Sequence, residues 1–222
     1  MVAVILAAGV GSRMGRPLPK SLSFLPDGER IMGRQIRFLR ESGIKRIYIV
    51  VGFKKSLIME EYPDVFYVYN PIYYISNTSK SLFYGLKDLE DDVIWINGDV
   101  VFDKSIIEMI IKGKGNIVAV NNSKCGKEEV KYRTNRRGEM EAISKNIEDG
   151  EGEALGINRI SKEFLSDFLK ALHECDNNDY FEKGIEKIIE KGITVKPLNV
   201  SAYRCIEVDF EEDYRKALEI FK

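Results

Sequence analysis

The sequence predicts an α/β fold, an open mixed and mainly parallel sheet flanked by helices, as a single domain over residues 1–222. Three observations predict it. β-Branched runs alternate with amphipathic stretches through the first half of the chain. The segments richest in polar chemistry fall directly after strand-like runs, where open α/β sheets bind ligands. No linker, repeat or low-complexity tract divides the 222 residues, which suffice for one sizeable core.

Residues 2–6, 46–51, 66–69 and 93–96 are β-branched or aromatic runs that read as buried parallel strands. Between them residues 31–42 are amphipathic, with Ile36, Leu39 and Arg40 spaced for one buried face and Gly43 closing the helix. Residues 81–89 and 104–112 supply further crossover helices, and such βαβ units connect right-handedly. The pattern then changes. Residues 116–121, 129–134, 139–145 and 154–160 read as short successive strands, with Arg137-Gly138 as a hairpin turn. Helices over 161–174 and 180–190, strands near 194–199 and 205–208, and a helix over 211–221 complete the chain.

Composition excludes several classes of function. Lysine plus arginine (34) nearly equals aspartate plus glutamate (35), so no net field draws the chain to nucleic acid or membrane. Three widely spaced cysteines form neither a metal cluster nor a disulfide framework, which suits a reducing compartment. Met1 runs straight into a strand without a basic leader, and no apolar run approaches the roughly 20 residues of a membrane span. A cytoplasmic protein, monomer or homodimer, is the expectation.

The most informative segment is VILAAGVGSRMGRPLPK, from Val4 to Lys20. A buried strand ends in small residues and opens into a loop with Gly9, Gly11, Arg13 and Lys20. Small residues let backbone N–H groups approach phosphate oxygens, and the cations neutralise them. A flexible glycine-rich turn with surface charges is the plainer alternative. Two familiar phosphate loops fail here. Lys20-Ser21 follows Pro19 rather than glycine, so this is no P-loop. Gly9, Gly11 and Gly15 are spaced one residue too long for a dinucleotide fingerprint, and Val50-Val51-Gly52 offers no ribose-binding acid.

The segment resembles the signature LAAGxGxRM…PK of the nucleotidyltransferases that activate sugar phosphates and small alcohol phosphates. The short gap from Arg13 to Lys20 resembles the cytidylyltransferase and inositol-phosphate branches. The resemblance implies a Rossmann-like sheet of the nucleotide-diphospho-sugar transferase type. It divides the chain into a nucleotide half, about 1–112, and an acceptor half, about 113–222. It further implies that Leu6, Ala7, Ala8, Gly9, Gly11 and Ser12 bind the nucleotide and that Arg13 and Lys20 act on the phosphates.

Asn97-Gly98-Asp99 closes the fourth strand. As plain structure NGD is a common turn; in the resembling family an aspartate here ligates Mg²⁺, which Asp99 matches, with Gly98 beside the nucleotide. Residues 206–217, IEVDFEEDYRKA, are similar to the second side of that metal site in phosphocholine cytidylyltransferases. That likeness makes Asp209 a second ligand and Glu207 an outer partner, although acids before a helix also serve its dipole. Two hard oxygen donors plus phosphate oxygens suit Mg²⁺.

The loop over 76–81 crowds hydroxyls and an amide, which cap helices or read a pyrimidine. The family reads base and ribose here, so Asn77 and Ser81 are the expected contacts. On the acceptor side the resemblance points to Lys145 for the acceptor phosphate, and to Glu153 for ribose or acceptor hydroxyls. It points to Tyr180 and Glu182 for a cationic head, which an aromatic face attracts and a carboxylate balances; the plain reading of Tyr180-Phe181 is core packing. The single histidine, His173, has no triad partners and Trp95 reads as core.

The expected reaction moves a nucleoside monophosphate, CMP from CTP being favoured, to a small phosphate or phosphonate monoester such as phosphocholine or 2-aminoethylphosphonate, with release of pyrophosphate. A sugar-1-phosphate or inositol-1-phosphate acceptor is the alternative, and a non-catalytic nucleotide-sensing subunit of the same fold is a third reading.

Overall fold

The computed structural model describes residues 1–11, 18–126 and 128–222. A nine-stranded sheet forms its centre, and seven strands run in the order β10-β6-β9-β4-β1-β2-β3. These are β1 (Val2–Ala7), β2 (Ile47–Val51), β3 (Phe66–Tyr69), β4 (Val93–Asn97), β6 (Asn116–Asn121), β9 (Gly152–Ile160) and β10 (Val195–Asn199). The first four strands pair in parallel, and β9 runs antiparallel between β4 and β6. A hairpin of β7 (Lys131–Thr134) and β8 (Met140–Ser144) extends from β9, turning at Gly138 as the sequence reading expected.

All six residues of β1 are buried, because helices cover both faces of the sheet. On one face Val2, Val4 and Leu6 pack with α3 (Thr78–Leu86), α5 (Lys162–His173) and α6 (Phe181–Glu190). On the other, Ala3, Ile5 and Ala7 meet α1 (Ile31–Glu41) and α4 (Lys104–Lys112). Successive side chains of a strand point to opposite faces, so one apolar run serves two cores. Trp95 is buried against Phe168 and Phe181, as its place in the central strand implied. Pro197 sits in β10 at the sheet's edge, where its missing N–H costs no ladder bond.

Four expectations need correction. Residues 66–69 form the other edge, with Phe66 and Tyr69 exposed rather than buried. Arg40 lies on the solvent side of α1, paired with Asp64, whereas Gln35 takes the inward position. The helix expected from residue 81 begins at Thr78, so the hydroxyl-rich loop is partly its first turn. A short helix, α2 (Lys55–Glu61), was not anticipated; it buries only Ile58 and so carries no amphipathic stripe. Gly43 does close α1, with a φ of 89° that a side chain would strain.

A second, two-stranded sheet positions the chemistry. β5 (Val100–Phe102) pairs antiparallel with β11 (Cys205–Glu207), matching Glu207 to Val100. The Val208 N–H donates to the Asp99 carbonyl at 3.0 Å, extending the ladder by one step. Segments more than a hundred residues apart are thereby zipped together beyond the carboxyl end of β4. The last helix, α7 (Glu211–Ile220), follows at once, its Asp213 accepting from the Phe210 N–H at 2.9 Å. No described helix is long and apolar enough to cross a membrane.

Candidate active site

A cleft of about 620 Å³ opens beyond the carboxyl ends of β1 and β4. Leu6, Ala7, Ala8, Gly9, Gly11 and Gly98 line its floor, with Asn77 and Ser81 on one wall. Lys20, Asp99, Asp209 and Glu207 line it as well, and so do Lys145, Glu153, Tyr180 and Glu182. Every expected site residue among those described therefore faces one cavity; Ser12 and Arg13 lie outside the described residues.

Lys20 is the hub. Its Nζ donates to Asp209 Oδ1 at 2.7 Å and to Asp99 Oδ2 at 3.4 Å, while its side chain is only 11% exposed. Burial alone would depress the lysine's pKa, but the charges of Asp99 and Asp209 outweigh it and raise the ammonium above its ordinary value. Asp99 moves upward too: burial disfavours its charge and Asp209 repels it, more than Lys20 offsets. These carboxylates crowd one another and require cationic charge between them.

The turn that carries Asp99 is held from three directions. The Gly98 N–H donates to the Leu6 carbonyl at 2.9 Å, and a Cβ on Gly98 would stand 2.7 Å from that oxygen. Close approach to β1, not an unusual φ, is what demands glycine here. Gln35, buried in α1, donates through Nε2 to the carbonyls of Asn97 (3.0 Å) and Val100 (2.7 Å), bracketing the turn. Asn97 Nδ2 donates to Glu207 Oε1 at 3.0 Å. Glu207 is pushed well above the usual carboxylate range, by burial first and then by Asp99 and Asp209. The bracing roles of Gln35 and Asn97 are not legible in the sequence; the available signal is a lone glutamine on the apolar stripe of Met32, Ile36 and Leu39.

On the wall opposite, Asn77 caps α3. Its Oδ1 accepts from the Thr78 N–H at 2.8 Å and its Nδ2 donates to the Asn178 carbonyl at 3.3 Å. Both polar ends are thus engaged in structure. Ser81 Oγ accepts from Asn70 Nδ2 at 3.0 Å and keeps its own proton to donate. Tyr73 packs so closely on Gly52 that a Cβ there would lie 2.5 Å from its ring.

Elsewhere on the lining, Lys145 Nζ lies 4.5 Å from the centre of the Tyr180 ring and 3.7 Å from Glu128. Glu153 accepts from Asn121 Nδ2 at 3.0 Å. Glu182 is 7% exposed in the first turn of α6, and its Oε2 is buried without a hydrogen-bond partner among the described residues. Burial pushes its pKa up to about 7, against a hydrogen bond from its own backbone N–H and the charge of Lys145. Such a group binds its proton more tightly folded than unfolded, so stability falls as pH rises from the unfolded value towards about 7. Glu182→Gln is expected to melt higher than wild type at about pH 8, by on the order of 3 kcal/mol of stability, and equally near pH 4. Calorimetric melts at both pH values check this.

With the geometry in place, comparison with known proteins identifies the family. The profile of the MobA-like NTP transferase domain matches residues 3–163. The chain belongs to the MobA-like NTP transferase family. Within it, the chain is 33% identical over 117 residues to a CMP-5'-(3-aminopropyl)phosphonate synthase of Streptomyces rubellomurinus, covering 49% of this chain and 18% of that protein. It is 26% identical over 234 residues to a bifunctional IPC transferase and DIPP synthase of Aquifex aeolicus, covering 97% of this chain and 50% of that protein. The chain thus spans half or less of the length of these two relatives. The CTP:phosphocholine cytidylyltransferase of Streptococcus pneumoniae superposes with a TM-score of 0.84 at 24% identity, covering 100% and 99% of the two chains. At that identity the likeness establishes the fold. The mostly parallel sheet flanked by helices is that of the family, as the LAAGxGxRM…PK segment implied.

Proposed function

We propose that this MobA-like domain is a Mg²⁺-dependent nucleotidyltransferase that moves CMP from CTP to a small phosphate or phosphonate monoester, such as phosphocholine or 2-aminoethylphosphonate. The observation that carries the reading is the convergence of Asp99 and Asp209 on the Lys20 ammonium, at the mouth of β1 and β4. In the reaction an acceptor oxygen forms a bond to the α-phosphorus, and the bond from that phosphorus to the bridging oxygen breaks, releasing pyrophosphate. A phosphomonoester is already ionised near neutral pH, so no general base is required. This suits a cleft whose described lining contains no histidine; His173 packs against Phe83 at the end of α5.

The catalytic demand is in-line placement and neutralisation of crowded negative charge. Lys20 meets it at the α-phosphate, and Arg13, seven positions earlier in the sequence, would be its partner on the polyphosphate. Asp99 and Asp209 are hard oxygen donors brought together on one cation, a pair that fits Mg²⁺ completed by phosphate oxygens and water. When bound, Mg²⁺ supplies charge neutralisation on the reacting oxygens. Ser81 and the backbone of Ala8 and Gly9 would receive the nucleoside, placing the nucleotide half within about residues 1–112. Lys145 would receive the acceptor phosphate. Tyr180 and Glu182 would form the wall for its cationic end and Glu153 would meet ribose or acceptor hydroxyls, in an acceptor half of about residues 113–222. The near-complete alignment with the IPC transferase half-protein favours a second reading, in which the acceptor is an inositol or sugar 1-phosphate.

Pyrophosphate release from CTP, UTP, GTP and ATP, each with phosphocholine, 2-aminoethylphosphonate, inositol 1-phosphate and a hexose 1-phosphate, tests the reading. CTP with one of the first two acceptors is expected to give the highest kcat/KM. Release from none of the sixteen pairs would rule the activity out, and preference for a sugar or inositol phosphate would select the second reading.

A further inference from the structure

We infer that Lys20 is a built-in counter-ion that closes the Asp99–Asp209 pair to divalent cations until a nucleoside triphosphate draws its ammonium away. Nucleotide and metal then load together, not metal first. The inference rests on the reading above and adds an order of assembly to it.

The ammonium donates to both carboxylates at once, so it occupies the place where their charges converge. Its stem is held as well as its head. The side chain is 11% exposed, and Gly11, with φ at 63°, leaves room for the stem; a Cβ there would come within 3.1 Å of Lys20 Cγ. The backbone beneath is a 3-10 turn over Lys20–Leu22, secured by the Leu22 N–H on the Pro19 carbonyl at 2.9 Å. A divalent cation approaching the pair must therefore displace a fixed positive charge or accept its repulsion.

A triphosphate changes that balance. It brings several negative charges into the same cleft, and an ammonium on a four-carbon stem can turn from carboxylate to phosphate by rotation about its own bonds. Moving Lys20 to the nucleotide takes its charge off both carboxylates at the moment the phosphate oxygens arrive to share a cation with them. One residue thus holds the pair together while the cleft is empty and uncovers it when the nucleotide enters.

The test uses Mn²⁺ alone, titrated into nucleotide-free protein, with free aquo ion read from its electron paramagnetic resonance signal. Lys20→Gln keeps a hydrogen-bond donor but loses the charge, and is expected to bind one Mn²⁺ at least about tenfold more tightly than wild type. Adding Asp99→Asn to that variant should erase the gain. Wild type itself should bind Mn²⁺ no better than Asp99→Asn alone. Equal affinities of wild type and Lys20→Gln would overturn the inference. So would a wild type that binds about tenfold more tightly than Asp99→Asn, a comparison that decides the matter if Lys20→Gln does not fold. The titration consumes no substrate. A protein that shows the gain but transfers no nucleotide fails the reading above and keeps this role for Lys20, and an active enzyme without the gain does the reverse.

Discussion

Asp99→Asn is expected to lower the rate of pyrophosphate release by about a thousandfold or more, a loss of roughly 4 kcal/mol of transition-state stabilisation. The substitution is nearly isosteric and removes only charge. Its backbone contacts survive, because the Asp99 carbonyl still accepts from Val208 and the turn is still bracketed by Gln35. Asparagine also relieves the repulsion from Asp209 that helps push the aspartate's pKa upward. The variant should therefore melt at or above the wild-type temperature while losing turnover. That split separates a chemical role from a structural one, and calorimetry beside the pyrophosphate assay measures it. Wild-type turnover in the variant would remove Asp99 from the reaction.

Lys20→Ala is expected to lower kcat by about a hundredfold or more while weakening nucleotide binding by less than about tenfold. The distinction follows from when the charge is needed. A group that only gathers phosphates stabilises ground and transition states alike and shows itself in affinity. A lysine beside the α-phosphorus acts most where negative charge develops, and shows itself in turnover. Single-turnover rates with separately measured nucleotide affinity give both terms. Equal losses in the two would reduce Lys20 to a binding residue. Alanine also leaves Asp99 and Asp209 facing each other, so the melt is a needed companion.

The sheet was legible because its central strands are buried on both faces and leave near-continuous runs of valine, isoleucine and alanine. Strands at its margin were harder. Residues 66–69 look like any β-branched aromatic run, and nothing local says that only one flank is paired. Val100–Phe102 is too short to stand apart from β4, yet its pairing with Cys205–Glu207 joins the two halves of the site. α2 escaped because one buried residue makes no periodicity.

Residues that touch the cleft were found by motif. Those that hold such residues in place, Gln35 and Asn97, act through backbone carbonyls and through Glu207, partners that only the fold supplies. Asn77 shows the converse case. A polar side chain ahead of a helix fits either capping or recognition, and the structure uses it as a cap. Lys20 was legible as a phosphate ligand, but its bond to two carboxylates depends on a β5–β11 ladder that no local pattern announces.

The most direct test compares pyrophosphate release by Asp99→Asn, Asp209→Asn and the double variant, under conditions where wild type turns over. If both side chains serve one centre, either substitution alone should remove most of the rate and the second should cost little more. Two losses that multiply, or a single variant that turns over like wild type, would place the aspartates in separate roles and contradict the account.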